Sequence, residues 1–97
     1  MKIIGKFKIL DSFKVTRRGL VARGNIVEGK VKVGSFIKPK IDSDNITLEI
    51  RSVEFIDKIS TGESWVGLLF VYNDENHLQE LENTKLEEQF VDVFVKD

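Results

Sequence analysis

Apolar and polar residues alternate with a period of two along most of this chain. The alternation is clearest in residues 7–9 and 13–15, and glycine then recurs every five residues from Gly19 to Gly34. A period of two is typical of half-buried β-strands, and glycines between short strands are typical of turns or bulges. We therefore expect antiparallel strands here, with Gly19 and Gly29 at positive φ or at close backbone approaches.

The middle of the chain carries several turn signals. Residues 26–33 alternate around Glu28 and Gly29, which predicts a tight hairpin with those two residues at its turn. Pro39 cannot donate a hydrogen bond to a strand ladder, so its strand is expected to lie at an edge or to have just begun. A polar loop is predicted over residues 42–45.

The apolar positions change phase once between residues 46 and 56. They are even up to Ile50 and odd from Val53. A β-bulge at residues 51–52 would insert one extra residue and return the apolar side chains to the same face. We predict that bulge, followed by a turn at residues 60–63.

The run WVGLLFVY, residues 65–72, is apolar on both faces. A strand of a small barrel needs only one apolar face, so something is expected to cover the other. We take this run as a candidate interface with a protein partner or with a second copy of the chain. Its candidate residues are Trp65, Val66, Leu68, Phe70 and Tyr72.

The last part of the chain combines an acidic stretch with one more apolar run. Residues 74–82 carry two leucines three positions apart and predict a short helix or turn, with Asn73 or Asp74 as its N-cap. Residues 90–95 predict the last strand. About seven short strands and this one helix predict an all-β fold, a small closed antiparallel β-barrel, and residues 1–97 are expected to form a single domain.

Composition supports strands and removes several kinds of chemistry. Ile and Val together number 21 against one alanine, a ratio that favours β-structure because β-branched side chains are stiff at χ1. The absence of cysteine excludes disulfides, zinc–thiolate sites and thiol catalysis. No apolar run approaches the roughly 20 residues of a membrane span, and the start does not resemble a signal peptide. We expect a cytoplasmic protein with no membrane partner.

The net charge of −1 conceals two halves of opposite sign. Residues 1–40 carry a formal charge of +9 and residues 41–97 carry −10. Distant strands pair in a barrel, so the two signs can neutralise each other in ordinary solvated ion pairs. The alternative is a basic patch that binds the phosphates of a nucleic acid. Charge alone favours the first interpretation and leaves the second open.

The motifs of catalysis are incomplete. Residues 24–30 match a phosphate-binding loop up to its lysine, but Val31 stands where that motif needs Ser or Thr to bind Mg²⁺. His77 has no second zinc ligand and no nucleophile near it in sequence, so we interpret it as an exposed helix residue. We expect no enzyme activity, no cofactor, no metal and no GTP bound by this chain alone.

Two features suit binding rather than catalysis. Arg17, Arg18 and Arg23 cluster near one turn, where guanidinium groups suit bidentate phosphate contacts, although they equally suit a solvated rim. Trp65 either packs in the barrel or stacks on a base or a partner.

A set of motifs extends through residues 5–72: an initial phenylalanine, Asp-x-Phe, an Arg-Gly pair and glycines five apart that end in Lys-Val-Gly. SVEFIDK and GESWVGLL follow, with one residue more than usual between Glu63 and Gly67. Together these segments resemble the second, β-barrel domain of translational GTPases such as elongation factor Tu. The matching residues of the first segment are Phe7, Asp11, Phe13, Arg18, Gly19, Gly24, Gly29 and Lys32–Gly34.

The resemblance has departures and consequences. Arg17 replaces a glycine before the Arg-Gly pair, and Ser35 replaces the aspartate that usually follows Gly34. The resemblance implies contact with the aminoacylated end of transfer RNA or with ribosomal RNA, and it carries over Arg18, Gly24 and Glu63. The Asp-x-x-Gly and Asn-Lys-x-Asp motifs of the family's GTPase domain do not occur, so a binding domain without a GTPase domain is expected.

These observations lead to two hypotheses of function. The first is a non-catalytic, translation-related module that contacts tRNA, rRNA or the ribosome. The second is a protein-interaction or self-associating module, including a homo-oligomer, that reuses the barrel without binding RNA. The candidate RNA-binding residues are Lys14, Arg17, Arg18, Arg23, Lys32 and Glu63.

Overall fold

The computed structural model describes residues 1–58 and 62–96. The elements in chain order are β1 Lys2–Val15, β2 Gly19–Gly29, β3 Phe36–Ile37, β4 Lys40–Ile41, β5 Asp44–Asn45, β6 Leu48–Lys58, β7 Glu63–Phe70, α1 Glu75–Glu82 and β8 Gln89–Val95. The predicted all-β class, the short helix and the last strand are confirmed. Ser60 and Thr61 of the predicted turn lie outside the described residues.

Within the described ranges, six strands form one antiparallel sheet. Its order is β1-β2-β7-β6-β3-β8, and β8 pairs back to β1, so the sheet forms a ring. β4 and β5 form a small hairpin apart from this ring, which replaces the polar loop predicted at residues 42–45. Pro39 lies between β3 and β4 and outside both strands, as its missing N–H requires.

The alternation decides which side chains fill the ring. Phe7 and Ile9 of β1 and Leu68 and Phe70 of β7 are fully buried, while the lysine between Phe7 and Ile9 stays partly exposed. Burial of one such large apolar side chain contributes about 1.5–3 kcal/mol. The inward face of each strand therefore supplies most of the free energy that holds the ring together.

The predicted β-bulge of β6 is confirmed. The register between β6 and β7 shifts between Ile50 and Ser52. Beyond the shift, Glu54 is paired with Gly67 and Ile56 with Trp65, and residues directly opposite each other in a sheet share a face. The bulge thus sets which β6 side chains reach the outer surface.

The predicted hairpin over residues 26–33 is wrong. β2 continues to Gly29, which pairs with Gly5 of β1, and the Lys30 N–H donates to the Ile4 carbonyl at 3.1 Å. Gly29 has the expected positive φ of 63°, but the turn leads the chain out of this pairing towards β3. Alternation on both sides of a glycine does not distinguish a hairpin from the end of a long strand.

Helix α1 lies over the turn between β1 and β2. It begins after Asp74, whose carboxylate accepts a hydrogen bond from the His77 N–H at 2.8 Å, and this confirms one of the two predicted caps. Leu78 and Leu81 are buried. A Cβ placed on Gly19, where φ is 92°, would lie 3.4 Å from Leu78 Cδ1 and 3.8 Å from Leu81 Cβ. A Cβ would make only ordinary van der Waals contacts with the helix at these distances, so glycine is favoured at this position by its positive φ.

Candidate nucleic-acid interface

The outer surface of β1, β2, β6 and β7 contains a small cleft of about 140 Å³. The register places Phe13 of β1 opposite Val21 of β2, and Val21 opposite Leu69 of β7. These three side chains share the outer face and form a continuous apolar row. The residues that line the outer cleft are Phe13, Val15, Arg18, Val21, Glu54, Ile56, Gly67 and Leu69.

The outer cleft has a buried floor and open walls. Val21 and Leu69 are 6% and 2% exposed, whereas Phe13 and Ile56 are 45% and 36% exposed. Leu69 lies on the outer face of residues 65–72, which the sequence predicts to be apolar and covered. At this residue the cover is provided by side chains of the same sheet. A flat apolar group can still enter between the exposed walls.

Arg18 stands at the rim of the outer cleft. Its Nη2 lies 2.7 Å from Glu54 Oε2, and both side chains are about half exposed. Arg51 Nη2 donates to the Arg18 carbonyl at 3.2 Å. An exposed ion pair contributes only about 0–1 kcal/mol, so a phosphate can compete with Glu54 for the Arg18 guanidinium.

Arg23 and Trp65 form a second cluster on the same outer face. The Arg23 guanidinium donates to both Asp11 carboxylate oxygens at 2.9 and 2.8 Å and lies 5.0 Å from the centre of the Trp65 ring. The hydrogen bond from Arg23 lowers the pKa of Asp11, and the same bond raises the pKa of Arg23, with a smaller contribution from Glu63. Arg23, Glu63 and Trp65 are thus brought together, but Asp11 occupies the guanidinium.

The Asp11–Arg23 pair predicts a small pH dependence of stability. Because the pKa of Asp11 is lowered in the folded state, the pair stabilises the protein above the unfolded pKa of about 3.9 and loses this effect as pH falls through the lower folded value. Asp11 is half exposed, so we expect Asp11→Asn to cost less than about 1 kcal/mol at pH 7. Urea unfolding at pH 7 and at about pH 2 measures it; a difference from wild type that is equally large at both values would contradict the assignment.

The remaining cationic candidates are Arg17, Lys14 and Lys32. The Arg17 backbone N–H donates to Glu82 Oε2 at 3.1 Å, and Arg17 lines a cleft with Asp74, Glu75 and Glu82. Lys14 is an exposed residue near the end of β1, and Lys32 follows β2, where its carbonyl accepts a hydrogen bond from the Ser35 hydroxyl. Carboxylates at helix α1 therefore lie beside Arg17, just as Glu54 and Asp11 lie beside Arg18 and Arg23.

Two ion pairs between the halves of the chain offset part of their opposite charge. Arg18 pairs with Glu54, and Lys8 with Glu88 at 3.2 Å, and both pairs join the basic first half to the acidic second half. Pairing of distant strands therefore neutralises part of the linear charge separation, as the first interpretation of the charge pattern expects.

The candidate partner interface at residues 65–72 needs correction. Val66, Leu68 and Phe70 are 8%, 0% and 0% exposed and point into the core of the ring, so they are not available to a partner. Trp65 and Tyr72 are partly exposed, with Arg23 over the first ring and Arg51 over the second at 5.7 Å. A run that is apolar on both faces does not indicate which face points inward, and the face chosen from the sequence was the buried one.

Several residues of the outer cleft were not among the sequence candidates. Phe13, Glu54 and Ile56 entered the sequence analysis only through the segments that carry the resemblance, and Val15 only as part of a strand; none of the four was a candidate site residue. A signal for them was present, because the β-bulge predicted at residues 51–52 places Glu54 and Ile56 on the face opposite the apolar residues that follow it.

His77 has a local structural role. Its Nδ1 accepts a hydrogen bond from the Asn73 N–H at 3.1 Å, next to the Asp74 cap. Across residues 1–58 and 62–96, no group of three or more metal-ligating side chains occurs. The same residues include no helix long and apolar enough to cross a membrane.

Comparison of the chain with protein-family models, with curated proteins and with solved structures finds no match.

Proposed function

We propose that this chain is a non-catalytic, RNA-binding module of cytoplasmic translation, with a closed β-barrel like the second domain of translational GTPases. Its ligand is the terminal nucleotide of a transfer RNA or a comparable segment of ribosomal RNA. The observation that carries the proposal is the outer cleft, an apolar slot with an arginine at its rim. Cavities of about 150 Å³ bind a single aromatic ring in other proteins. The outer cleft is of similar size, which suits one base.

The backbone supports the resemblance at the position where the sequence departs from it. Arg17 has a φ of 68°, in the left-handed region that favours glycine, and the family has glycine there. Gly19 also has a positive φ. A turn of the family's backbone shape is therefore compatible with the Arg17 substitution, at a cost of about 1–2 kcal/mol in local strain.

The apolar residues of the outer cleft contact the base, and Arg18 contacts the phosphate. The base enters between Phe13 and Ile56 and covers Val21 and Leu69, which favours an aromatic ring over a polar group. The Arg18 guanidinium then exchanges the Glu54 carboxylate for a phosphate of the same nucleotide. Phosphate binding at this site consequently competes with an internal ion pair.

Variants of the cleft test this function. With an RNA of the tRNA acceptor-end sequence as ligand, Phe13→Ala is expected to weaken binding about tenfold, because base stacking on an aromatic side chain contributes about 1–3 kcal/mol. Arg18→Ala should also weaken it, whereas Glu54→Gln should tighten it by releasing Arg18. Phe55→Ala is the matched control, since Phe55 is 71% exposed on β6 and does not line the outer cleft. Fluorescence titration at low and high salt measures these effects. Equal affinity of Phe13→Ala and Phe55→Ala, or weaker binding by Glu54→Gln, would contradict the proposal.

The alternative function as a protein-interaction or self-associating module is favoured by one observation, the exposure of Phe13 and Ile56 above an apolar floor. Light scattering and an RNase-treated pull-down separate the two functions. Self-association, or a partner that is retained after RNase treatment and lost with Phe13→Ala, would support this alternative.

A further inference from the structure

A second surface with aromatic rings and cations lies on the opposite side of the ring. In the ring order, β3 is opposite β2 and β8 is opposite β7. Three contacts between a lysine ammonium group and a phenyl ring gather on β1, β3 and β8 and the residues that directly follow β3 and β8. We call this surface the phenyl–lysine face. Its contacts, at 4.5 to 5.4 Å from ammonium nitrogen to ring centre, are Lys8 with Phe90, Lys38 with Phe94 and Lys96 with Phe36.

The rings of this face form a stepped platform. Phe36 and Phe94 are paired in register and stack with ring centres 5.7 Å apart and planes 24° from parallel. Phe94 is only 4% exposed, so Phe36, which is partly exposed, is the ring of this pair that a ligand can reach. Phe90, on the same strand as Phe94, is 61% exposed and stands opposite Lys8 of β1. An exposed phenylalanine beside a lysine presents a π-face and a cation to the same ligand.

Two clefts meet at the platform. One, of about 270 Å³, lies between Phe90 and Phe94 and includes Lys38, Asn45 and Asp92. The other, of about 570 Å³, shares Lys38, Asn45 and Phe90 with the first. An aromatic slot with amide and carboxylate groups suits a base, and an adjoining slot with lysines suits its phosphate. The remaining charged residues that line the larger cleft are Lys40, Lys85, Asp42, Glu87 and Glu88.

The electrostatics of this face differ from those of the outer cleft. Arg18 is held by Glu54 and Arg23 by Asp11. On the phenyl–lysine face, Glu88 pairs with Lys8, while Lys38 and Lys96 lie over phenyl rings. An exposed ammonium–phenyl contact contributes only about 0.5–1 kcal/mol. A phosphate can therefore draw these two ammonium groups away, and movement of Lys96 uncovers the Phe36 ring for a base.

We propose that the phenyl–lysine face binds single-stranded RNA, with bases stacked on Phe90 and on Phe36 and phosphates on Lys38 and Lys96. This site is separate from the outer cleft and lies on the other side of the ring, so one molecule can hold two RNA segments. A free nucleotide offers the same ring and phosphate, and the experiment distinguishes it from a strand.

The test uses the full chain and a labelled single-stranded RNA of about 10 nucleotides, within the site sizes of such surfaces. Phe90→Leu keeps an apolar side chain but removes the π-face, and we expect about tenfold weaker binding by fluorescence anisotropy. Phe55→Leu is the matched control on a phenylalanine of similar exposure and should bind like wild type. The double variant Lys38→Gln/Lys96→Gln should flatten the slope of log affinity against log salt by about 1.4, roughly 0.7 for each phosphate contact.

The outcomes separate this site from the outer cleft. Weaker binding by Phe90→Leu with unchanged binding by Phe13→Ala supports the phenyl–lysine face, whatever happens to the tRNA-end assay. The proposal is overturned if Phe90→Leu, with an unchanged melting temperature, binds like wild type, or if the lysine variant keeps the wild-type salt slope. If unlabelled double-stranded RNA competes for binding as strongly as unlabelled single-stranded RNA does, the proposed stacking of bases on the phenyl rings is contradicted. If a nucleoside monophosphate, at an equal concentration of nucleotides, displaces the labelled RNA, then the ligand of this face is a free nucleotide and not single-stranded RNA.

Discussion

Gly24→Ala is expected to destabilise this protein severely. A Cβ at Gly24 would lie 1.8 Å from the Lys8 carbonyl oxygen and 2.9 Å from Cε2 of the Phe7 ring. The closest of these atoms is backbone in β1, which pairs on both sides, with β2 and with β8. Relief of the overlap must therefore break ladder hydrogen bonds or displace a core ring. We expect a loss of about 4 kcal/mol or more, against a total stability of about 5–15 kcal/mol for a typical domain.

Gly34→Ala is the matched control for this prediction. Gly34 has a φ of 90°, but nothing lies within 4 Å of the position of its Cβ. The substitution adds backbone strain alone, about 1–2 kcal/mol. Urea and thermal unfolding followed by circular dichroism measure both variants. If Gly24→Ala unfolds within a few degrees of Gly34→Ala, the close approach of β1 and β2 is not as the structure describes it.

Local features of the fold could be predicted from the sequence because local pattern determines them. The phase change after Ile50 predicted a bulge between Ile50 and Ser52, since only an extra residue keeps one face buried. The two leucines spaced three apart, together with a capping aspartate, predicted α1. In each case the signal lies within a few residues of the structure that it produces.

Long-range pairing could not be predicted in the same way. The exit of β2 at Gly29 depends on Ile4 and Gly5 of β1, which lie far back in the chain. β3 has two residues, and its place between β6 and β8 brings Phe36 against Phe94. No period within so short a strand indicates its neighbours, so the phenyl–lysine face is visible in the structure but not in the sequence.

The candidate site shows the same division. Arg18 was predicted from its own motif, but its partner Glu54 lies 36 positions away in the chain and meets it only because β2, β7 and β6 are neighbours in the sheet. The same holds for Val21 and Leu69, which form the cleft floor because β2 and β7 are neighbours. The sequence identified which residue types could bind a phosphate. It did not identify the residues that pair with these cations inside the protein, because those pairs depend on the order of the strands in the sheet. These internal partners decide whether a cation is accessible to a phosphate.

Phe70→Ala is expected to destabilise the protein by about 3–5 kcal/mol, the usual cost of a large cavity in a core. The Phe70 side chain is fully buried among the apolar residues of the ring, although the sequence pattern was equally compatible with an interface at the surface. For a domain of this size, such a loss lowers the melting temperature by roughly 4–8 °C per kcal/mol. Thermal and urea unfolding of the variant measure the change.

Phe55→Ala helps to decide whether Phe70 lies in the core or at an interface, because it makes the same substitution at a position that is 71% exposed. We expect it to change the free energy of unfolding by less than about 0.5 kcal/mol. If Phe70 belonged to an interface, Phe70→Ala would instead reduce association in light scattering and leave the monomer as stable as Phe55→Ala does. The burial of the inward face therefore predicts a specific contrast: a large loss of stability at Phe70, no change in oligomeric state, and a nearly neutral result at Phe55.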